Sequence, residues 1–241
     1  MKLSILSILS VIFFPVFGQE VEERKLEPYE KLIVHPYIDV ELDESDESKI
    51  FISTKNWPIE DVIVQQKGKK LEVFLRGANT DKIVQSSNSW KKFRNVRVKV
   101  FLTYKDLNQV SMRGDGSFHC RGPIQGEAFS ISLVGDSEAQ FSSWKVDQLK
   151  ASIIGDGKIH MGTGEARRQI WKVLGDGKIE ASNLKARECR IRSLGDSDIR
   201  VYATRGLTYK IIGESSISYK GSPNIKGAFS IGEKHIRRIE E

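Results

Sequence analysis

A glycine followed by an acid recurs through the second half of the chain, and this repeat limits the fold more than any other feature. The pairs begin at Gly114, Gly135, Gly155, Gly175, Gly195, Gly213 and Gly232, at spacings of 21, 20, 20, 20, 18 and 19 residues. The residue after each acid is Gly116, Ser137, Gly157, Gly177, Ser197, Ser215 or Lys234. Four positions past each glycine stand Phe118, Ala139, Ile159, Ile179, Ile199, Ile217 and Ile236. A period of this length, kept in phase, predicts a repeat architecture. Twenty residues of extended chain at ~3.3 Å each make a coil of roughly 60 Å perimeter, which suits three short sides around a filled interior. It is too short for a four-stranded propeller blade, and the leucine and asparagine spacing of a leucine-rich repeat is absent. Coils stacked ~4.8 Å apart bury their apolar positions as ladders, the column from Phe118 to Ile236 among them. The expected fold is all-β: a single-chain β-solenoid, right-handed and three-sided, with about 20 residues per coil over residues 110–241. At the corners, glycine accepts φ > 0, the acid can bond the backbone two residues on, and a small third residue lets coils approach.

Residues 19–109 read as short strands continuous with that solenoid. Lys31–Val34, Ile38–Leu42, Ile50–Ser53, Val62–Val64 and Leu71–Leu75 are β-branched and partly alternating, and Asn95–Leu102 alternates well. Residues 1–18 read as a secretory leader. Lys2 precedes an apolar run from Leu3 to Phe14, Pro15 breaks it, and cleavage is expected after Gly18. No second apolar run of ~18 residues follows, so the mature chain is expected to lack a transmembrane segment. It is then exported, to the periplasm, the outer envelope surface or the medium. Cys120 and Cys189 fall three coils apart, ~14 Å along the axis. That exceeds the ~7 Å that a disulfide spans between Cα atoms, so two free, buried thiols are expected. The 38 basic and 32 acidic residues are interspersed, which suggests a solvated surface and no nucleic-acid partner. No nucleophile elbow, zinc-protease motif or phosphate loop is present, so no catalytic residue and no cofactor are expected.

These residues together resemble the bacterial head GIN-domain family, described as auto-transporter adhesins. The likeness runs from about residue 30 to 236. It rests on the leader, the Ile38-Asp39-Val40-Glu41-Leu42 strand, the repeated Gly-small-Gly corners and the Tyr219-Lys220-Gly221-Ser222-Pro223 segment. The resemblance implies a β-helical fold and an envelope or secreted location in bacteria with a Gram-negative envelope. It implies no activity, cofactor or catalytic residue. This chain departs from the family pattern in carrying an acid inside the corner and an apolar residue just before it.

Three sets of residues are candidate surfaces. The acids Asp115, Asp136, Asp156, Asp176, Asp196, Glu214 and Glu233 would stack ~5 Å apart. Of these, Asp136, Asp156, Asp176 and Asp196 form a weak candidate ladder for Ca²⁺. The favoured reading is corner residues satisfied by backbone and water, since the nonapeptide calcium repeat does not match. The column before the glycines, Val134, Ile154, Leu174, Leu194, Ile212 and Ile231, either points outward as an interface stripe or turns with the corner into the core. The second arrangement is favoured. Lastly, Arg167, Arg168, Lys185, Arg187, Arg190, Arg192 and Arg205 fall on successive coils away from the acids. They make either a face for anionic polysaccharide or lipid headgroups, or a solvated face, the acids Glu165 and Glu188 being interspersed. His119 and His160 lie two coils apart, ~10 Å, too far to share a metal. The expected function is non-enzymatic binding of a surface, a glycan or an envelope protein, with a homo-oligomer as one form. The alternatives are a β-helix enzyme acting on polysaccharide and a purely structural envelope component.

Overall fold

The computed structural model describes residues 20–55, 57–78, 93 and 95–240. The leader expected at residues 1–18 lies outside the described residues. The chain winds as a β-solenoid of about 6 turns, about 20 residues apart. Its body is five long strands: β9 (Ser117–Val134), β10 (Glu138–Ile154), β11 (Lys158–Leu174), β12 (Lys178–Leu194) and β13 (Ser197–Ile212). They are preceded by β1 (Glu20–Lys25), β2 (Lys31–Val34), β3 (Ile38–Glu44), β4 (Lys49–Thr54), β5 (Val62–Lys67), β6 (Lys70–Leu75), β7 (Val98–Tyr104) and β8 (Gln109–Arg113). They are followed by β14 (Ser215–Lys220), β15 (Asn224–Ile231) and β16 (Lys234–Arg238).

Side-chain alternation explains the shape of each coil. In β11 Ile159, Met161, Ala166, Gln169, Trp171 and Val173 are buried, while Lys158, His160, Glu165, Arg167, Lys172 and Leu174 are exposed. The alternation breaks twice, across Gly162–Gly164 and at the outward pair Arg167–Arg168. These two bends and the glycine corner divide the coil into three straight runs: a first side (158–162), a second (164–167) and a third (168–174). The long strands pair in parallel with like residues in register, so Ala139, Ile159, Ile179 and Ile199 stack above Phe118. The column continues through Ile217 to the half-buried Ile236.

The corner glycines close the stack. Gly175 adopts φ +116°, and a Cβ there would stand 2.6 Å from the Gly155 carbonyl oxygen. Its N–H donates to the Leu194 carbonyl at 2.9 Å, as Gly155 N–H does to Leu174 at 2.8 Å. Inside the five corners from Ser137 to Ser215 the third residue is a buried serine or glycine. Ser197 Oγ lies 2.7 Å from Ser193 Oγ and 3.1 Å from Ser215 Oγ. The core otherwise holds the rings of Phe118, Phe129, Phe141 and Trp144, in contact at 4.9–6.0 Å between centroids. Further along, the Trp171 indole donates to buried Gln169, whose amide donates to the Leu184 carbonyl at 2.6 Å. Cys120 and Cys189 are free and buried.

The two ends differ. At the head, β1 with β4, β4 with β7, and β5 with β6 pair antiparallel. There β3 lies between β7 and β9, and β2 between β6 and β8. The head corner carries Tyr37 at φ +70°, its ring stacked on Phe93 at 5.4 Å. At the tail, no residue of β15 or β16 is buried, and Ile225, Phe229 and Ile231 are exposed.

Candidate functional site

The second side carries a groove. Along each coil, long outward side chains stand on either side of one inward residue, and that residue is small. The inward column is Val146, Ala166 and Ala186, continued in register by the exposed Gly126, so the floor is largely backbone. One wall is Gln125, Lys145, Glu165 and Lys185; the other is Asp147, Arg167, Arg187 and Thr204. The groove encloses about 690 Å³ and runs along the solenoid axis across successive coils. It holds four cations and two carboxylates. Arg167 Nη2 lies 3.9 Å from Asp147 Oδ2, and Lys185 Nζ stands 5.8 Å over the Tyr202 ring.

The third side is built differently. Its outward columns are Ser130, Lys150, Ile170, Arg190 and Thr208, then Ser132, Ser152, Lys172, Arg192 and Lys210, then the aliphatics before the glycines. From β9 to β13 these three columns contain no carboxylate. The aliphatic column faces water: Val134 is 38% exposed, Ile154 47%, Leu174 47%, Leu194 46% and Ile231 58%, with Ile212 half-buried. The favoured tucked arrangement is therefore not what the chain adopts. Alternation runs unbroken to the glycine, Val173 inward and Leu174 outward, so the turn comes one residue later than that arrangement requires. The inward place at the corner is taken by Ser137, Gly157, Gly177, Ser197 and Ser215, all buried.

The basic residues singled out by sequence do not form one face. Arg167, Lys185 and Arg187 line the second-side groove. Arg190 and Arg192 belong to the third side, where they join Lys150, Lys172 and Lys210. Arg168 and Arg205 stand at the bend between the two. The three lysines were missed because grouping followed nearness in the chain. The signal that finds them is the period: Lys172, Arg192 and Lys210 each stand three residues before a corner glycine, and Lys150 and Arg190 each stand five before one.

On the corner, Asp136, Asp156, Asp176, Asp196, Glu214 and Glu233 are exposed and Asp115 is half-buried. Asp196 Oδ1 accepts the Glu214 N–H at 3.1 Å, and Asp115 pairs with Arg97 at 3.2 Å. Among the described residues no group of three or more His, Cys, Asp or Glu is placed to hold a metal ion. His119 and His160 sit on the first side with Gln140 between them. The most displaced titrations belong to the core. Burial raises the phenols of Tyr29 and Tyr104, pushes the Cys120 thiol up to about 12 and raises the Cys189 thiol as well. No helix among the described residues is long and apolar enough to cross a membrane.

Among the described residues the polar chemistry is spread along a stack of coils as ladders, and the class this defines is a β-solenoid. The chain belongs to the family described as "putative auto-transporter adhesin, head GIN domain", which matches residues 28–223. Its fold is shared by a crystal structure from Bacteroides fragilis described as a "putative adhesin". That match has a TM-score of 0.77 and 24% identity, covering 92% of this chain and 97% of the other. A protein from Parabacteroides distasonis, described as a "putative lipid binding protein", matches with a TM-score of 0.71 and 22% identity, covering 92% and 97%. A "putative adhesin" from Parabacteroides merdae matches with a TM-score of 0.65 and 19% identity, covering 92% and 96%. Among proteins with curated descriptions, none matches.

Proposed function

We propose that the protein is an exported, non-enzymatic, adhesin-like solenoid that holds an acidic polysaccharide along its second-side groove. One observation carries this reading: the two walls run in register across successive coils, with four cations to two carboxylates above a backbone floor. A small molecule is held in an enclosed, largely apolar pocket by a few converging groups. An open trough with repeating side chains instead suits a linear polymer that offers charge and hydroxyls at intervals. Lys145, Arg167, Lys185 and Arg187 would meet carboxylates or sulfates, with Arg167 and Arg187 able to bind them in bidentate fashion. Asp147, Glu165, Gln125 and Thr204 would meet hydroxyls. Many weak, screened contacts make such binding salt-dependent. Family membership and the leader expected at residues 1–18 support export to the envelope or beyond it.

The test is a glycan array with the purified protein, run with calcium and with chelator. Saturable retention of acidic polysaccharides is expected, lost at high salt and indifferent to chelator. Arg167→Ala with Arg187→Ala should weaken binding at least tenfold. No retention of any acidic glycan, or retention abolished by chelator, would overturn the reading. Release of shortened chains from a bound polysaccharide would make the protein an enzyme instead.

A further inference from the structure

We propose that the aliphatic stripe on the third side is the interface of a homodimer. In it two solenoids stand side by side and parallel, related by a two-fold axis along the stripe. This is independent of the polysaccharide reading, which concerns the second side. The observation is the order of residues across the stripe. Three successive coils carry a base, an inward residue, an aliphatic, the corner glycine and an acid: Lys172-Val173-Leu174-Gly175-Asp176, Arg192-Ser193-Leu194-Gly195-Asp196 and Lys210-Ile211-Ile212-Gly213-Glu214. In β9 and β10, Ser132 and Ser152 take the place of the base. The aliphatic ladder therefore runs between a ladder of bases and a ladder of acids, two residues from each.

This order selects the occupant. A two-fold axis along the stripe lays each aliphatic against its own counterpart and exchanges the flanks. The bases of one chain then face the acids of the other on both sides of the seam. In the remaining rungs Asp136 and Asp156 face the hydroxyls of Ser132 and Ser152. A two-fold axis across the stripe would oppose bases to bases, which is repulsive, so the pair is parallel. Such an interface is isologous, and a second copy matches the rung spacing by construction. From Val134 to Ile231 the stripe spans six coils, about 24 Å at ~4.8 Å per coil. A groove of about 390 Å³ between Lys172, Arg192 and Lys210 on one side and Leu174 and Leu194 on the other gives the partner's side chains a seat. Among the described residues Lys172, Arg192, Asp156 and Asp176 have no ion-pair partner in their own chain, so their charges are free for a neighbour. An anionic lipid surface fits less well, because the corner acids would be driven against it.

Sedimentation velocity of the purified protein should show a dimer that dissociates on dilution. Leu174→Asp with Leu194→Asp should give a monomer with unchanged melting, because both side chains are on the surface. Single-cysteine variants fix the geometry, since the native thiols are buried. Ile154→Cys and Ile212→Cys should each cross-link to its own copy under mild oxidation. An antiparallel pair would instead cross-link only when the two variants are mixed. A chain with Lys172→Asp, Arg192→Asp and Lys210→Asp should be monomeric. It should form a heterodimer with a chain carrying Asp176→Lys, Asp196→Lys and Glu214→Lys. A wild-type monomer at every concentration, a dimer indifferent to Leu174→Asp and Leu194→Asp, or cross-linking only in the mixture would overturn the proposal. So would a monomer that binds vesicles of anionic phospholipid through the stripe. Unchanged dimerisation of the Arg167→Ala, Arg187→Ala chain keeps this outcome separate from the fate of the polysaccharide reading.

Discussion

Replacing Gly175 by alanine should loosen the solenoid far more than replacing Gly126, although both glycines have positive φ. Gly126 sits at φ +137° and a Cβ there meets nothing within 4 Å. Its substitution costs only the backbone strain, about 1–3 kcal/mol. Gly175, at φ +116°, has the same strain and a steric conflict besides. The added carbon would lie 2.6 Å from the Gly155 carbonyl oxygen and 3.1 Å from the Gly155 carbonyl carbon and Cα, all backbone. Two coils must part by several tenths of an ångström, and they are tied on either side of that point. Gly155 N–H donates to Leu174 at 2.8 Å and Gly175 N–H to Leu194 at 2.9 Å. Weakening such hydrogen bonds adds about 1–2 kcal/mol, for a total of ~2–5. At roughly 2–4 °C per kcal/mol for a chain of this size, Tm should fall by about 4–20 °C, against about 2–12 °C for Gly126→Ala, so at one and the same slope the Gly175 loss exceeds the Gly126 loss by about 1–2 kcal/mol. Urea titration and thermal melting by circular dichroism read both. Equal losses within ~0.5 kcal/mol would refute the claim that glycine contact at the corner sets the coil spacing.

Gln169→Leu should destabilise by about 1–3 kcal/mol in urea melts, because it strands the Trp171 indole N–H and the Leu184 carbonyl that the amide now satisfies. Ile179→Asp should unfold the chain or lower its stability by about 4 kcal/mol or more, since a carboxylate would enter a fully apolar ladder; an unchanged melt would sink the stacking scheme. Neither thiol should react with a disulfide reagent at pH 8 until urea exposes it. Burial raises both thiols, so above the ordinary thiol value of ~8.5 the folded chain holds protons that the unfolded chain releases. Stability should therefore fall as pH rises past that value, and titrating the urea midpoint between pH 7 and 10 checks it.

The solenoid was legible because stacking forces like residues into like places. Only glycine tolerates the corner, so glycine marks the period, and the inward Ile179 and Ile199 follow it in phase. The strands of the first half were legible for a different reason, namely plain alternation in segments such as Ile38–Leu42 and Leu71–Leu75. The head corner at Pro36 and Tyr37 was not, because Tyr37 takes the left-handed conformation without glycine and is held by its stack on Phe93. The direction of Leu174 was also hidden. Whether a coil turns at residue 174 or 175 changes one inward place into an outward one, and the turn is fixed by which residue fills the corner, Gly177 here. The basic residues were mis-grouped because angular position around a coil depends on two bends within a long strand. Arg187 and Arg190 are three residues apart and lie on different sides. Those bends have no glycine signature in β10, where they fall at Ser142–Ser143 and Asp147–Gln148.

Charge divides the sides by task, and the division follows from the stack. In a ladder, a charge repeated on every coil meets its own kind ~5 Å away, which is destabilising unless the column alternates in sign or faces something opposite. The first side mixes signs: Lys158 and Lys178 stack between Glu138 and Asp198, with Lys178 3.9 Å from Asp198, and Arg200 lies 3.2 Å from Glu180. The groove wall of the second side alternates in part, Lys145, Glu165, Lys185, and keeps an excess of cations. The third side does not alternate at all. Lys172, Arg192 and Lys210 stack on one another, and Asp156, Asp176 and Asp196 stack a short way off across the aliphatics. A single chain leaves both columns repelling along their length. A second chain, turned about the stripe, neutralises both at once, so the arrangement that is costly in the monomer is the one that specifies its partner.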